Sequence, residues 1–258
     1  MKNFLRITSK DNDNLKQISQ LLKSSKRRRD EGLFVLEGLR LCLDAIQNGH
    51  VPQKVFLSET AISKYQREVE ILTAHGDTYV LSDSLFSKFS DTVSPQGILC
   101  VCKTPLFDEE KFNPNGRYIA LDNLQDPSNL GAIARTAEAF GIDGIIIQGG
   151  CDPYSPKSLR ASMGALLRLP VYPTDDMFAV FAKNRLKSYA SVISREADSV
   201  GEIRFNGGCV VIIGNEANGI SAETVDKSDC LITIHMSGRA ESLNAAVAAS
   251  VIMWEMCK

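Results

Sequence analysis

The chain has one tryptophan, three histidines and no excess of either charge sign: 29 Lys and Arg face 31 Asp and Glu over 258 residues. A net charge of -2 excludes nucleic-acid binding by bulk basicity. No stretch approaches the ~18 consecutive apolar residues of a membrane-spanning helix. The start, Met1-Lys2-Asn3-Phe4-Leu5-Arg6, lacks the apolar core of a signal peptide, so a cytoplasmic location is expected. None of the seven cysteines (Cys42, Cys100, Cys102, Cys151, Cys209, Cys230, Cys257) forms a Cys-x-x-Cys pair, and His50, His75 and His235 are scattered. No metal constellation is expected, and the thiols read as buried and reduced. Gly-x-Gly-x-x-Gly, Gly-x-x-x-x-Gly-Lys-Ser/Thr and Gly-x-Ser-x-Gly are all missing, which argues against a Rossmann dehydrogenase, a P-loop NTPase and an α/β-hydrolase.

What is present is a globular composition, 44% hydrophobic and 23% charged, with an uneven charge distribution. Residues 1–30 carry nine Lys and Arg against three Asp, a net of +6, so the remaining 228 residues net -8. The cations concentrate in Lys26-Arg27-Arg28-Arg29; the run reads either as a solvated helix face or as a phosphate contact. Residues 104–116, with Pro105, Pro114 and Asn115-Gly116, mark a boundary. The expected division is a domain over 1–104, a linker over 105–116 and a second domain over 117–258. Alternating strands and helices on both sides make the chain α/β. The spacing predicts helices over 13–24, 59–75, 129–140, 156–167 and 242–256. Val210–Ile213 reads as a central parallel strand, apolar throughout because it is covered on both faces.

Ligands of parallel α/β sheets bind beyond the carboxyl ends of the strands, and three polar loops fall there. The first is Asp126-Pro127-Ser128-Asn129-Leu130-Gly131-Ala132-Ile133-Ala134-Arg135-Thr136. By spacing alone, Arg135 pairs with Glu138 on a wet helix face. The second is Ile213-Gly214-Asn215-Glu216-Ala217-Asn218-Gly219-Ile220-Ser221 and the third Met236-Ser237-Gly238-Arg239-Ala240-Glu241-Ser242-Leu243-Asn244. A structural turn accounts for the second as well as a ligand loop does, and capping by Ser242 or Asn244 accounts for part of the third.

In this order the three segments closely resemble the motifs of the SpoU (TrmH) family of RNA 2′-O-ribose methyltransferases. Ser162-Met163-Gly164-Ala165 resembles a further family segment. Less specifically, Lys26–Arg29 and Phe34-Val35-Leu36-Glu37-Gly38 resemble the family's substrate-binding domain, whose fold is similar to ribosomal protein L30e. The resemblance implies a parallel-sheet α/β domain with a deep trefoil knot behind a smaller L30e-like α/β domain. It also implies S-adenosylmethionine as cofactor, structured RNA as substrate (rRNA before tRNA), and a homodimer through the C-terminal domain. Carried over by motif, Asn129, Arg135, Glu216, Ser242 and Asn244 are the functional polar positions. Gln148, Gly214, Asn215, Ile234, Met236, Leu243 and Asn244 would bind the cofactor, and Lys26, Arg27, Arg28 and Arg29 the RNA. Family accounts centre on Arg135 for activating the 2′-OH, as base or as electrostatic stabiliser. A guanidinium is a poor proton acceptor, which favours the second role, and Glu216 then orients the loops and Arg135 rather than taking the proton. The third motif departs from the family at His235, where Pro is common, and at Ala245-Ala246, where Val-Ser is usual. The alternatives are a catalytically silent knotted RNA-binding protein and a methyltransferase acting on a base nitrogen.

Overall fold

The computed structural model describes residues 4–90, 92–105 and 112–258; part of the expected linker, 106–111, lies outside them. In chain order come β1 (Leu5–Arg6), α1 (Asp13–Lys23), α2 (Ser25–Glu31), β2 (Leu33–Glu37), α3 (Leu39–Gln47), β3 (Pro52–Ser58), α4 (Glu59–Lys64), α5 (Gln66–Leu72), β4 (Asp77–Leu81), α6 (Asp83–Phe86) and β5 (Ile98–Lys103). Then follow β6 (Arg117–Asp122), α7 (Pro127–Ala139), β7 (Gly144–Gln148), α8 (Pro156–Ala161), α9 (Ala165–Arg168), β8 (Val171–Thr174) and α10 (Met177–Asn184). The chain closes with β9 (Lys187–Ser191), β10 (Asp198–Ser199), β11 (Cys209–Ile213), α11 (Ala222–Lys227), β12 (Cys230–Thr233) and α12 (Ala245–Met256).

Two compact units result: Met1–Leu106 with Tyr154–Leu167, and Phe107–Pro153 with Arg168–Lys258. Residues 154–167, read from sequence as part of the second domain, group with the first unit. The Tyr154 ring lies 5.4 Å from that of Phe34, Arg160 Nη1 lies 3.8 Å from Glu37 Oε2, and His50 Nε2 hydrogen-bonds the Leu167 carbonyl at 2.6 Å.

The first unit is built on a five-stranded mixed sheet in the order β1-β4-β3-β5-β2. The helical period of α1 buries Leu15, Ile18 and Leu21 against this sheet's core, as periodicity requires. Two expected helices break. The 59–75 segment divides at Tyr65, whose non-helical backbone (φ -119, ψ 49) separates α4 from α5. The 156–167 segment divides at Met163 and Gly164, both at positive φ. The basic run is itself a helix, α2, closed by Gly32 at φ 62.

The second unit is a seven-stranded, all-parallel sheet in the order β10-β12-β9-β11-β6-β7-β8. β11 is the central strand and is buried over its whole length, which explains its unbroken apolar sequence. Pro173 sits on edge strand β8, where a missing N–H costs no ladder bond. α12 packs along α7: Ser250 Oγ approaches Thr136 Oγ1 at 3.3 Å, and the Phe140 and Trp254 rings lie 5.8 Å apart. Val247, Val251 and the part of Trp254 that Phe140 does not cover are exposed.

Candidate active site

The three polar loops leave the carboxyl ends of β6, β11 and β12 within the second unit. α7 starts where Asp126 caps it by accepting from Ser128 N at 2.8 Å and Pro127 supplies a ready-made first-turn φ. α12 starts at Asn244, whose Oδ1 accepts from Ala246 N (2.9 Å) and Val247 N (3.3 Å). The same side chain works in both directions: Asn244 Nδ2 donates to Asn129 Oδ1 at 3.0 Å. Asn129 Nδ2 in turn donates to Glu216 Oε1 at 2.9 Å. Glu216 also accepts from Gln125 N (2.9 Å, Oε2) and Asp126 N (2.9 Å, Oε1). One carboxylate and two amides thus tie all three loops together.

Two further links pin the second loop to the first. Asn215 Nδ2 donates to the Asn123 carbonyl at 3.0 Å, and buried Thr224 donates its hydroxyl to Asp122 Oδ2 at 2.8 Å. The second loop closes on itself through Asn215 and Gly219, which exchange backbone hydrogen bonds. A Cβ on Gly214 would lie 2.4 Å from the Gly219 carbonyl carbon, so this close approach admits only glycine.

Burial pushes the Glu216 carboxyl up, but hydrogen bonds from Gln125 N–H, the Asn129 amide and Asp126 N–H outweigh it and hold it below the usual carboxylate range. With three donors on its two oxygens, Glu216 remains an anion that organises loops. Arg135 has no such partner. It is exposed on α7 without a hydrogen bond or ion pair among the described residues. The expected Arg135–Glu138 pair is not formed, because Arg168 binds Glu138 through Nε and, at 2.8 Å, through Nη2. That bond is bidentate, the geometry a guanidinium prefers, and it leaves Arg135 a free cation.

A cavity of about 660 Å³ opens between the loops, within the range of small-molecule sites. Gly214, Asn215, Glu216, Ile234, Met236, Ser242, Leu243 and Asn244 line it. The sequence reading missed its far wall, Ser191, Val192 and Ile193; their place beside β12 is a matter of strand order, which carries no local signal. Gln148 does not line the cavity. Its Oε1 accepts from Met177 N at 2.8 Å and so caps α10. Arg135 and Asn129 also lie outside the lining. His235 is exposed and likewise outside it.

The basic run needs a correction as well. Arg28 is buried, 5% exposed, and donates to the Leu21 and Leu22 carbonyls at 2.5 and 3.4 Å. It caps the carboxyl end of α1 and does not face a phosphate. Arg27 forms an ion pair with Glu31, whereas Lys26 and Arg29 are exposed. Among the described residues no group of His, Cys, Asp and Glu could hold a metal ion, and no helix is long and apolar enough to cross a membrane.

A nucleoside-sized pocket at the carboxyl edge of a parallel sheet, walled by the second and third loops and by Ser191–Ile193, with the first loop tied to both through Asn129 and Glu216, defines an α/β group-transfer site. The profile of the SpoU rRNA methylase family matches residues 116–254, and that of the MRM3-like substrate binding domain matches residues 12–100. The chain is 28% identical to the 23S rRNA (guanosine(2553)-2′-O)-methyltransferase RlmP of Bacillus subtilis, over 97% of this chain and 98% of the relative. It is 28% identical to the 23S rRNA (uridine(2479)-2′-O)-methyltransferase of Streptomyces viridochromogenes, over 97% and 91%. The crystal structure of the AdoMet-bound rRNA methyltransferase from Sinorhizobium meliloti superposes with a TM-score of 0.84 at 27% identity, covering 97% of this chain and 96% of that one. The chain belongs to the SpoU family. It is an RNA 2′-O-ribose methyltransferase that uses S-adenosylmethionine.

Proposed function

We propose that the protein methylates one ribose 2′-OH of ribosomal RNA, with Arg135 as the catalytic cation and the 660 Å³ cavity as the cofactor site. The observation that carries this reading is the free Arg135 on α7, the helix whose first turn carries Asn129 into a carboxylate network that is already satisfied.

The cavity fits S-adenosylmethionine by its chemistry. Ile193 and Leu243 line it while 70% and 37% exposed, an apolar surface suited to a flat base. The glycine at 214 lets the loop backbone come close to a ligand. Gly214, Asn215, Ile234, Met236, Leu243 and Asn244 would hold the cofactor, which supplies an electrophilic methyl group on a sulfonium. Gln148 acts at one remove, by fixing the start of α10.

The new C–O bond would form as the sulfonium's S–CH3 bond breaks, and the acceptor oxygen would release its proton to water. Arg135 keeps its own proton at neutral pH and stabilises the charge that develops on that oxygen, while its fork geometry also suits an adjacent phosphate. Glu216 and Asn129 do not exchange protons with substrate; they hold the first and second loops in register, and Asn244 extends the chain to α12. Ser242, exposed at the cavity rim, offers a hydroxyl to substrate or cofactor.

The exposed apolar stripe Val247, Val251 and Trp254, at the spacing of one helix face, supports a homodimer formed through α12. β11 is inserted between β6 and β9, with β12 beyond β9; late strands seated among earlier ones suit the trefoil knot of the family. The domain division we adopt is a substrate-binding unit ending near 104 and a catalytic unit starting near 117, working on cytoplasmic rRNA. Lys26 and Arg29 are the cations of α2 available to RNA. Mapping 2′-O-methyl positions in 23S rRNA with and without the gene tests the reading; an unchanged map refutes it.

A further inference from the structure

The second unit belongs to the acidic part of the chain, yet its free cations are not evenly placed. Arg168, Lys227 and Lys258 are paired with Glu138, Glu223 and Glu255. The guanidinium groups of Arg185, Arg195, Arg204 and Arg239 are exposed and unpartnered among the described residues. Arg185 ends α10 just before β9, and Arg204 precedes β11. Both therefore lie where strands begin, away from the cavity. Arg195 and Arg239 follow the carboxyl ends of β9 and β12, on the cavity side.

The sheet register places these two loops together. β12 pairs with β9 on one side (Ile232 opposite Ser191) and with β10 on the other (Ile232 opposite Asp198). The segment 192–197 must therefore cross the carboxyl end of β12, where the loop bearing Arg239 begins. Val192 N donates to the Ile232 carbonyl at 2.9 Å as the crossing starts. Ile193 lines the cavity two residues before Arg195, and Met236 and Glu241 line it on either side of Arg239. Neither arginine lines it. Both are exposed, each two residues along the chain from a position that does, Ile193 and Glu241.

We propose that Arg195 and Arg239 grip phosphates of the RNA strand that carries the acceptor ribose, seating that strand across the cavity mouth. The inference rests on the ribose-methylation reading above. A desolvated or satisfied arginine would have its partners within the protein; two free ones on crossing loops at a reaction-site rim suit a polyanion that arrives from solvent. The phosphates serve every sequence alike, so the two residues position the strand and do not select the nucleotide.

The test uses the full chain, unmodified 23S rRNA transcript and labelled S-adenosylmethionine. Arg195→Glu and Arg239→Glu are each expected to raise the KM for RNA about tenfold and to reduce the slope of log affinity against log salt by about one. The kcat at saturating RNA and the affinity for S-adenosylmethionine stay at wild-type values. Arg185→Glu and Arg204→Glu, at the opposite end of the sheet, give the baseline for an equal change in net charge. A KM for RNA no higher than that baseline overturns the proposal. So does weakened S-adenosylmethionine binding with an unchanged KM for RNA, which would assign the arginines to the cofactor's carboxylate. If the wild-type protein methylates no transcript, the functional reading is the one that fails, and filter binding of the same RNA still reads the arginines independently.

Discussion

The first unit concentrates its cations in sequence and then spends part of them on itself; the second scatters a few arginines through an acidic body and leaves several of them free, Arg135 among them. In α2, Arg28 caps α1 and Arg27 is held by Glu31. Glu31 also accepts from Gln17 Nε2 at 2.6 Å, and Gln17 Oε1 accepts from Lys54 Nζ at 2.8 Å. A run of four basic residues is thus half scaffold. In the second unit Arg168 occupies Glu138, and Arg135 is left without a partner. The availability of a cation is decided by what its neighbours have already bound, and local charge density does not report it.

The sharpest way to break this comparison is Arg135→Ala. We expect a fall in kcat of about 10²–10³-fold, the usual cost of removing one charge-stabilising donor, with S-adenosylmethionine affinity within about twofold of wild type. Methyl-transfer assays and calorimetry read the two quantities separately, and near-wild-type turnover would remove Arg135 from the mechanism. Gly214→Ala comes next. Its Cβ meets the Gly219 backbone at 2.4 Å, so the loop must shift; cofactor affinity should drop by about tenfold or more, together with a loss of about 1–3 kcal/mol in stability. Calorimetric titration and denaturant unfolding check both.

Arg28→Ala should cost about 1–3 kcal/mol of stability by leaving helix carbonyls unsatisfied, and lower RNA affinity no more than the loss of structure explains. Arg29→Ala should do the reverse: unchanged unfolding, with RNA affinity weakened severalfold and a shallower salt dependence. Identical behaviour of the two variants would erase the distinction drawn within α2.

The smallest effect concerns pH. The Glu216 carboxyl is held below its ordinary value in the folded protein, so its contribution is complete above the unfolded-state value of about 4.5 and is lost as pH falls through the lower, folded one. The difference in melting temperature between wild type and Glu216→Gln should therefore be constant at neutral pH and shrink only on the acid side of about pH 4.5. A difference that changes between pH 6 and 8 would contradict the assignment of Glu216 as a permanent anion.

Much of the fold was legible in the residues. The apolar run Val210–Ile213 announced a central parallel strand, and the facing Leu15, Ile18 and Leu21 announced α1. Helix interruptions were not, because the break at Tyr65 and the positive φ of Met163 involve residue types that do not ordinarily end helices. At the site, the motifs supplied Gly214, Glu216, Ser242 and Asn244, all of which line the cavity. They also put Gln148 in the cofactor set, and its side chain turned out to cap α10. Ser191–Ile193 were missed because a cavity wall made by a neighbouring strand has no signature in its own segment.

The sequence by itself determined the α/β alternation and the three polar loops, since these follow from local periodicity, turn residues and contiguous motifs. Tertiary structure alone decided which charges remain available. Whether Arg135 meets Glu138, or Arg28 meets solvent, depends on Arg168 and on the end of α1. Competition for a partner is settled by distances that only the folded chain creates.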